Sequence, residues 1–166
     1  MAPPTVVVVD TTFARVDMGT IVLQRIGEIA SPSELATQRF TVPGFKDLAA
    51  VARRVVDQGA AIVLACGMPG PEPIDESCAG DASLGLQLVQ ALTGTSVLEV
   101  FVHTTEAIDG DGRVDEDVLA ALCRRRCRGH AENAVRMVLD PAAMVGRAGT
   151  GRRQGSDDEE AIPVRR

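Results

Sequence analysis

The side chains that could stack on a flat ligand or move a proton near neutral pH are few in this sequence. It contains four Phe and two His but no Trp or Tyr. Histidine normally titrates near neutral pH, so His103 and His130 are candidate general acids or bases, with a purely structural role as the alternative. Phe13 follows two Thr, which favours an exposed loop where its ring could stack on a planar ligand. A packing contact at the entry of a helix is the alternative interpretation of Phe13.

Composition and motifs argue against several other chemistries. The net charge of −6 argues against nucleic acid as a partner, because contacts to phosphates need a basic surface. Neither a phosphate-binding P-loop nor a dinucleotide-binding fingerprint occurs. The four Cys show no zinc pattern, so we expect no metal site and free thiols in a reducing cytoplasm. No secretory signal and no membrane-spanning apolar run are visible, so we expect a cytoplasmic protein.

Two runs of charge are interpreted as solvated surface. Arg124, Arg125, Arg126 and Arg128 predict a basic helix face, and residues 157–160 predict an acidic tail. The chain from Gly146 onward is rich in Gly, Arg and acidic residues. We therefore expect residues 1–145 to form a single α/β domain, and residues 146–166 to form a flexible tail or an arm that orders on a neighbouring subunit.

Strand and helix patterns alternate along the chain. The run Thr-Val-Val-Val-Val-Asp from Thr5 to Asp10 is typical of a strand buried on both faces, which indicates a parallel sheet. Further strands are predicted over residues 35–42, 61–66 and 97–102, and helices over residues 17–30, 45–58, 76–92 and 115–139. This order predicts a three-layer α/β/α sandwich with a four-stranded parallel sheet, of the flavodoxin-like type.

Ligands of such sheets bind outside the carboxyl ends of the strands, where the connecting loops meet. The candidate contact residues in these loops are Thr12, Phe13, Arg15, Val42, Pro43, Gly44, Phe45, Lys46, Gly67, Met68, Pro69, Gly70 and His103. Two further candidates adjoin the loops, namely Asp17 at the start of a predicted helix and Val102 at the end of a predicted strand. The Pro43-Gly44 and Gly67–Gly70 loops are either simple strand terminators or stretches of exposed backbone that reach the polar edge of a uracil-like ring.

Several blocks of the sequence, in order, resemble the archaeal-type riboflavin synthases of the lumazine synthase/riboflavin synthase superfamily. They are VDTTFARVDM at residues 9–18, VPGFKDL at 42–48, GMPG at 67–70, ASLGL at 82–86, VFVH at 100–103, HAEN at 130–133 and GRRQG at 151–155. Each block is weak evidence alone. Their occurrence in the same order, across nearly the whole chain, is strong evidence.

The resemblance implies an enzyme that dismutates two molecules of 6,7-dimethyl-8-ribityllumazine. One molecule donates a four-carbon unit to the other, which gives riboflavin and 5-amino-6-ribitylaminouracil. No redox cofactor is implied, because donor and acceptor are the same compound. Whether the enzyme binds a Mg²⁺ ion is left open. The resemblance also implies a homopentamer with active sites between subunits.

The same resemblance assigns roles to residues. Phe13 is expected to stack on a lumazine ring, while the backbones of residues 42–45 and 67–70 hold polar groups of the ring and the ribityl chain. The candidate catalytic residues are His103, which is expected to lie close to the heterocycles, together with Arg15 and Asp17. Lys46 and His130 are further candidate contacts to the substrate.

One position departs from the family pattern. The family commonly carries His-Glu where this sequence has Gly80-Asp81. A missing His removes a proton-transfer group or a ligand contact, and His103 is a candidate to replace it. The alternatives are therefore a lumazine synthase or a related enzyme acting on another lumazine- or pterin-like substrate, and a flavin- or lumazine-binding protein without catalytic activity.

Overall fold

The computed structural model describes residues 2–153 and 158–162. Strands and helices alternate from strand β1, over Thr5–Thr11, and helix α1, over Met18–Ile29. The elements that follow are β2 (Ala36–Val42), α2 (Leu48–Asp57), β3 (Ile62–Gly67), α3 (Pro73–Thr93), β4 (Val97–Phe101), α4 (Glu116–Leu139) and α5 (Pro141–Val145). Short 3-10 turns over Phe45–Asp47 and Thr104–Ala107 follow β2 and β4.

The four strands form one parallel sheet in the order β2-β1-β3-β4. The four consecutive Val of β1 are each at most 1% exposed. Val6 and Val8 belong to one layer of the core, and Val7 and Val9 belong to the other, because successive side chains of a strand point to opposite faces. Helices α1 and α4 cover the first face, and α2 and α3 cover the second. The predicted three-layer sandwich is confirmed.

Some element boundaries differ from the prediction. Helix α3 begins at Pro73 rather than at Glu76, because a proline is favourable in the first turn, where its missing N–H needs no partner. The prediction ends the helical segment at Asp140-Pro141. In the structure the Asp140 carboxylate accepts the backbone N–H of Ala143 at 3.1 Å and so begins the short helix α5. Strand β4 ends at Phe101, which places Val102 in the following loop.

The four cysteines do not form disulfide bonds. All four Cys are free thiols, as predicted, and Cys66, Cys123 and Cys127 are buried. Burial raises the pKa of the Cys66 thiol, so this residue acts as a small apolar side chain.

No helix in the described part of the chain is long and apolar enough to cross a membrane. Residues 154–157 and 163–166 of the expected tail lie outside the described residues, and the domain limit at residue 145 stays a prediction.

Candidate active site

A cleft of about 540 Å³ opens beside β4, an edge strand of the sheet, between α3 and α4. Its size lies within the usual range of small-molecule sites, about 300–1,000 Å³. The residues that line it are Glu76, Ala79, Gly80, Ser83, Glu99, Phe101, His103, Arg126 and His130. Five of these nine residues carry an ionisable side chain, so the cleft is suited to proton transfer and to binding a polar ligand.

His103 lies at the end of β4 and is held through both its ring and its backbone. Its Nδ1 lies 2.7 Å from Oε2 of Glu76, on the first turn of α3. Its backbone N–H donates to Oε1 of Glu106 at 2.9 Å. These contacts leave Nε2 as the ring nitrogen available to a ligand in the cleft.

Arg126 places a guanidinium beside the edge strand. Its Nη1 donates to the carbonyl oxygen of Phe101 at 2.8 Å, and Nη1 and Nη2 donate to the two carboxylate oxygens of Glu106 at 2.6 and 2.7 Å. This pairing holds the pKa of the Glu106 carboxyl below its ordinary value. The side chain of Arg126 is only 12% exposed. The prediction that the Arg run is a solvated face is therefore wrong for Arg126, which shares a helix face with buried positions of α4.

His130 is the other imidazole of the cleft, and it is only 8% exposed. Its Nδ1 is buried without a hydrogen-bond partner among the described residues. Burial, assisted by the positive charge of Arg126, lowers the pKa of His130 to about 4. The ring is therefore neutral near pH 7 and offers a buried ring nitrogen for a polar group of a ligand.

Acid should destabilise the protein through His130. The pKa of this group is about 4 in the folded protein and about 6.5 in the unfolded chain, so the folded state binds fewer protons between these values. The stability that depends on the neutral ring is fully present above about pH 6.5. It is lost as the pH falls towards about 4, in an amount of about 3 kcal/mol.

A His130→Gln variant isolates this effect. We expect it to lose less free energy of unfolding than the unmodified protein between about pH 7 and about pH 4.5, because no imidazole must then be protonated at this position. Urea unfolding at a series of pH values measures the difference. An equal pH dependence in the two proteins would contradict the assignment.

Gly80 leaves open space at the cleft. Apart from Gly80 itself, its chain neighbours and the backbone of its own helix, no heavy atom lies within 4 Å of the position that a Cβ would take at this residue. The resemblance in sequence led us to expect a His here, and in the structure the space is open rather than filled by another side chain. Because the chain contains two His, the imidazoles available to the cleft are those of His103 and His130.

The loops after β1 and β2 bring together a second group of predicted residues. The backbone N–H of Thr12 donates to the carbonyl oxygen of Val42 at 2.9 Å, and its hydroxyl donates to that of Pro43 at 3.2 Å. The next residue, Phe13, is 52% exposed. The exposed loop position of Phe13 is confirmed, while its stacking role stays a prediction.

Arg15 and Asp17 already have protein partners. Arg15 forms an ion pair with Glu116. Asp17 caps α1 by accepting the backbone N–H of Thr20 at 3.1 Å, and it accepts from Nη2 of Arg39 at 2.6 Å. Although burial alone would raise it, these hydrogen bonds hold the pKa of the Asp17 carboxyl below its ordinary value. The geometry offers no support for a catalytic role of either residue, which stays a prediction.

Phe45 and Met68 contribute their side chains to the core, with exposures of 5% and 1%. The Phe45 ring packs edge-to-face against Phe101, with 4.9 Å between ring centroids. A Cβ at Gly67 would lie only 2.5 Å from the Phe45 ring, so this glycine allows the two segments to approach closely. At Phe45 and Met68, as at the fully buried Val102, only backbone groups are candidates for ligand contacts.

Some of the other loop candidates lie at the surface and others are buried. Lys46 is exposed and pairs with Asp81, with 3.2 Å between Nζ and Oδ2. Gly44 is partly exposed, whereas Pro69 and Gly70 are buried. None of the loop residues after β1, β2 or β3 lines the cleft beside β4. One chain therefore carries two separate groups of candidates, of which only His103 and His130 belong to the cleft.

The expectation that ligands bind at the carboxyl ends of the strands does not identify four polar residues of this cleft. They are Glu76, Ser83, Glu99 and Arg126. Glu76 and Ser83 lie on the same face of α3 as Gly80, at the spacing of successive turns. Arg126 lies one turn before His130 on α4. Helical spacing is thus the signal that would have found three of them. In the part of the chain that the structure describes, no three His, Cys, Asp or Glu side chains form a group that could hold a metal ion.

Known proteins resemble this chain along most of its length. A family model described as 6,7-dimethyl-8-ribityllumazine synthase matches residues 4–141. The chain belongs to this family. It is 42% identical over 150 residues to the riboflavin synthase of Methanothermobacter marburgensis, a match that covers 90% of this chain and 93% of that relative. It is 40% identical over 156 residues to the riboflavin synthase of Aeropyrum pernix, with 93% and 96% covered.

Membership of the 6,7-dimethyl-8-ribityllumazine synthase family confirms the resemblance inferred from the sequence blocks. The matched segment runs from the start of β1 to the end of α4 and contains every residue that lines the cleft. The riboflavin synthase of Archaeoglobus fulgidus is more distant, at 36% identity over 152 residues, yet it too covers 91% of the chain. The family therefore accounts for the whole sandwich.

Proposed function

We propose that this protein is a riboflavin synthase, which converts two molecules of 6,7-dimethyl-8-ribityllumazine into riboflavin and 5-amino-6-ribitylaminouracil. The observation that carries the proposal is the cleft beside β4, with one anchored and one neutral buried imidazole. This cleft lies in a chain that matches riboflavin synthases over at least 90% of its length.

The cleft supplies the groups that this reaction needs. A proton must leave a methyl group on an electron-poor ring, and protons must return as the four-carbon unit moves from donor to acceptor. We assign proton removal to Nε2 of His103. Holding two rings face to face supplies much of the remaining acceleration. No redox cofactor takes part, because one substrate molecule gives the carbon unit that the other receives.

Incubation of the purified chain with 6,7-dimethyl-8-ribityllumazine tests the proposal. We expect the fluorescence of riboflavin to appear, together with one 5-amino-6-ribitylaminouracil for each riboflavin. A folded protein that forms no riboflavin overturns the proposal. Tight binding of the lumazine without turnover would instead identify a non-catalytic binding protein.

Lumazine synthesis is a second candidate, favoured by the description of the family model. Its reaction joins 5-amino-6-ribitylaminouracil to dihydroxybutanone phosphate, so its site must hold a phosphate. Among the residues that the structure describes, Arg126 is the only Arg or Lys that lines the cleft, and Glu106 already occupies both of its terminal nitrogens. We therefore expect no lumazine to form from these two substrates, which a direct assay checks.

The assembly proposed for this enzyme is a homopentamer with active sites between subunits. Leu84, Leu88 and Leu92 are spaced by one turn on α3, and each is more than half exposed. A stripe of this kind on a surface helix is typical of a contact between subunits. We also propose that the segment from Gly146 contributes an arm to a neighbouring subunit and that the enzyme is cytoplasmic. Native mass spectrometry measures the number of subunits.

Replacing Phe13 with Ala should weaken ligand binding and leave folding unchanged. Stacking of a heterocycle on an aromatic side chain contributes about 1–3 kcal/mol, so the dissociation constant for riboflavin should rise about 5- to 150-fold. Quenching of flavin fluorescence on binding measures this change. Phe13→Tyr keeps the aromatic face and serves as the control. An unchanged affinity of Phe13→Ala would show that the ring does not stack on the ligand.

A further inference from the structure

A carboxylate outside the predicted strand-end loops contacts the ring of His103. Glu76 lies on the first turn of α3, and its Oε2 is 2.7 Å from Nδ1 of His103. In the described part of the chain, its ion-pair partner is His103 alone. Oε1 of Glu76 also lies 3.5 Å from the hydroxyl of Thr105, at the limit of a hydrogen bond. Both oxygens of the Glu76 carboxylate therefore contact the segment that follows β4.

The chemistry of this contact selects one tautomer of the imidazole. An ionised carboxylate can only accept a hydrogen bond, so a contact as short as 2.7 Å needs the proton on Nδ1. In a neutral ring the lone pair then resides on Nε2. Resting on the proposed function, we propose that Glu76 is a positioning residue that holds His103 as the Nδ1–H tautomer, so that Nε2 accepts the methyl proton of the lumazine.

The other carboxylates near the cleft do not share this role. Glu106 accepts two hydrogen bonds from Arg126, and its contact with His103 is to the backbone N–H rather than to the ring. Glu99 lines the cleft without a hydrogen bond to His103. Glu76 is thus the acidic residue that sets the tautomer.

The backbone around the pair is fixed independently of Glu76. The N–H of Val102 donates to the carbonyl oxygen of Gly67 at 3.0 Å, and the N–H of Thr104 donates to that of Pro69 at 3.2 Å. These bonds join the segment that carries His103 to the loop that precedes α3. Changes at Glu76 should therefore alter the ring of His103 without displacing its backbone.

A combination of kinetics and NMR tests the proposal on Glu76→Ala, Glu76→Gln and Glu76→Asp variants of the full chain. We expect Glu76→Ala and Glu76→Gln to lower kcat for lumazine dismutation about 10- to 100-fold with little change in KM, as is typical when a group that orients a functional His is removed. Glu76→Asp should retain more activity because it keeps an acceptor. The control is Glu72→Ala. Glu72 is an exposed acid at the same end of α3, and its side chain makes no capping hydrogen bond.

The ring nitrogens report the tautomer directly. With ¹⁵N-labelled His, the chain gives signals from two imidazoles, and those that disappear in His103→Gln belong to His103. Well above the ordinary imidazole pKa of about 6.5, we expect the Nδ1–H tautomer in the unmodified protein and its loss in Glu76→Ala. In a His103→Ala background, the Glu76 substitution should not lower kcat further.

Each other outcome has a defined meaning. An unchanged tautomer in Glu76→Ala, or an equal loss of kcat on substituting Glu76 with and without His103, overturns the positioning role. An unmodified protein that forms no riboflavin but loses the Nδ1–H tautomer in Glu76→Ala overturns the proposed function. That result would still support the inference that Glu76 fixes the Nδ1–H tautomer of His103.

Discussion

Replacement of His103 with Ala is expected to lower the turnover of 6,7-dimethyl-8-ribityllumazine by about 100-fold or more, the usual contribution of a positioned general base. The variant loses the Nε2 lone pair in the cleft, while the side chain of His103 is about one-third exposed and contributes little to the core. We therefore expect kcat to fall much more than the affinity for the substrate, and the free energy of unfolding to stay close to that of the unmodified protein. Steady-state formation of riboflavin measures the two kinetic constants.

His103→Gln is the matched variant for this experiment. Glutamine keeps a polar side chain that can hydrogen-bond to Glu76 but cannot take up a proton near neutral pH. Both variants should therefore be similarly slow. Equal losses in kcat and in affinity would make His103 a residue that positions the substrate. A normal rate in either variant would exclude it as the base.

The sheet could be predicted because its signal is local. Four consecutive Val are buried on both faces of β1, and such a run is stable only where helices cover both sides of a parallel sheet. The short helix α5 could not be predicted in this way. Asp140 and Pro141 are typical both of the end of one helix and of the start of the next, and the sequence pattern does not distinguish these alternatives.

The candidate site was only partly predictable, because it lies along an edge strand rather than at the ends of the central strands. Arg126 lies in a run of Arg that is normally solvated. Tertiary packing turns it inward, since the end of β4 leaves a carbonyl oxygen at Phe101 that its guanidinium binds. The partnership of Glu76 with His103 joins positions 27 residues apart. It depends on the packing of α3 against β4, which no local pattern encodes.

The two groups of candidates also explain why a single chain is not expected to act alone. Phe13 follows β1, whereas the cleft borders β4 at the edge of the sheet, with β3 between them. The exposed ring and the polar cleft are therefore separate surfaces of one chain. An active site between subunits, as proposed above, would combine the ring of one subunit with the cleft of its neighbour.

A partly buried ion pair joins Asp10 of β1 to Arg39 of β2. The Asp10 carboxylate is 5% exposed at the end of β1. It accepts from Nη2 of Arg39, on β2, at 2.5 Å and from the hydroxyl of Thr41 at 2.8 Å. A Cβ at Gly19 would lie only 2.5 Å from both Asp10 and Arg39, so α1 packs directly over the pair. The Asp10 carboxylate is therefore shielded from water, whereas the Arg39 side chain is 30% exposed.

Arg39→Ala should lower the free energy of unfolding by about 3–5 kcal/mol, because it leaves the Asp10 charge buried without its partner. Urea unfolding measures this as a lower midpoint at an unchanged slope. Arg53→Ala is the control. It removes a half-exposed Arg from an ion pair with Asp57 one turn away on α2, and such pairs contribute about 0.5 kcal/mol or less. Adding Asp10→Asn to Arg39→Ala should recover part of the loss, since the stranded charge is then absent. A stability of Arg39→Ala close to that of Arg53→Ala would show that Asp10 does not depend on its partner.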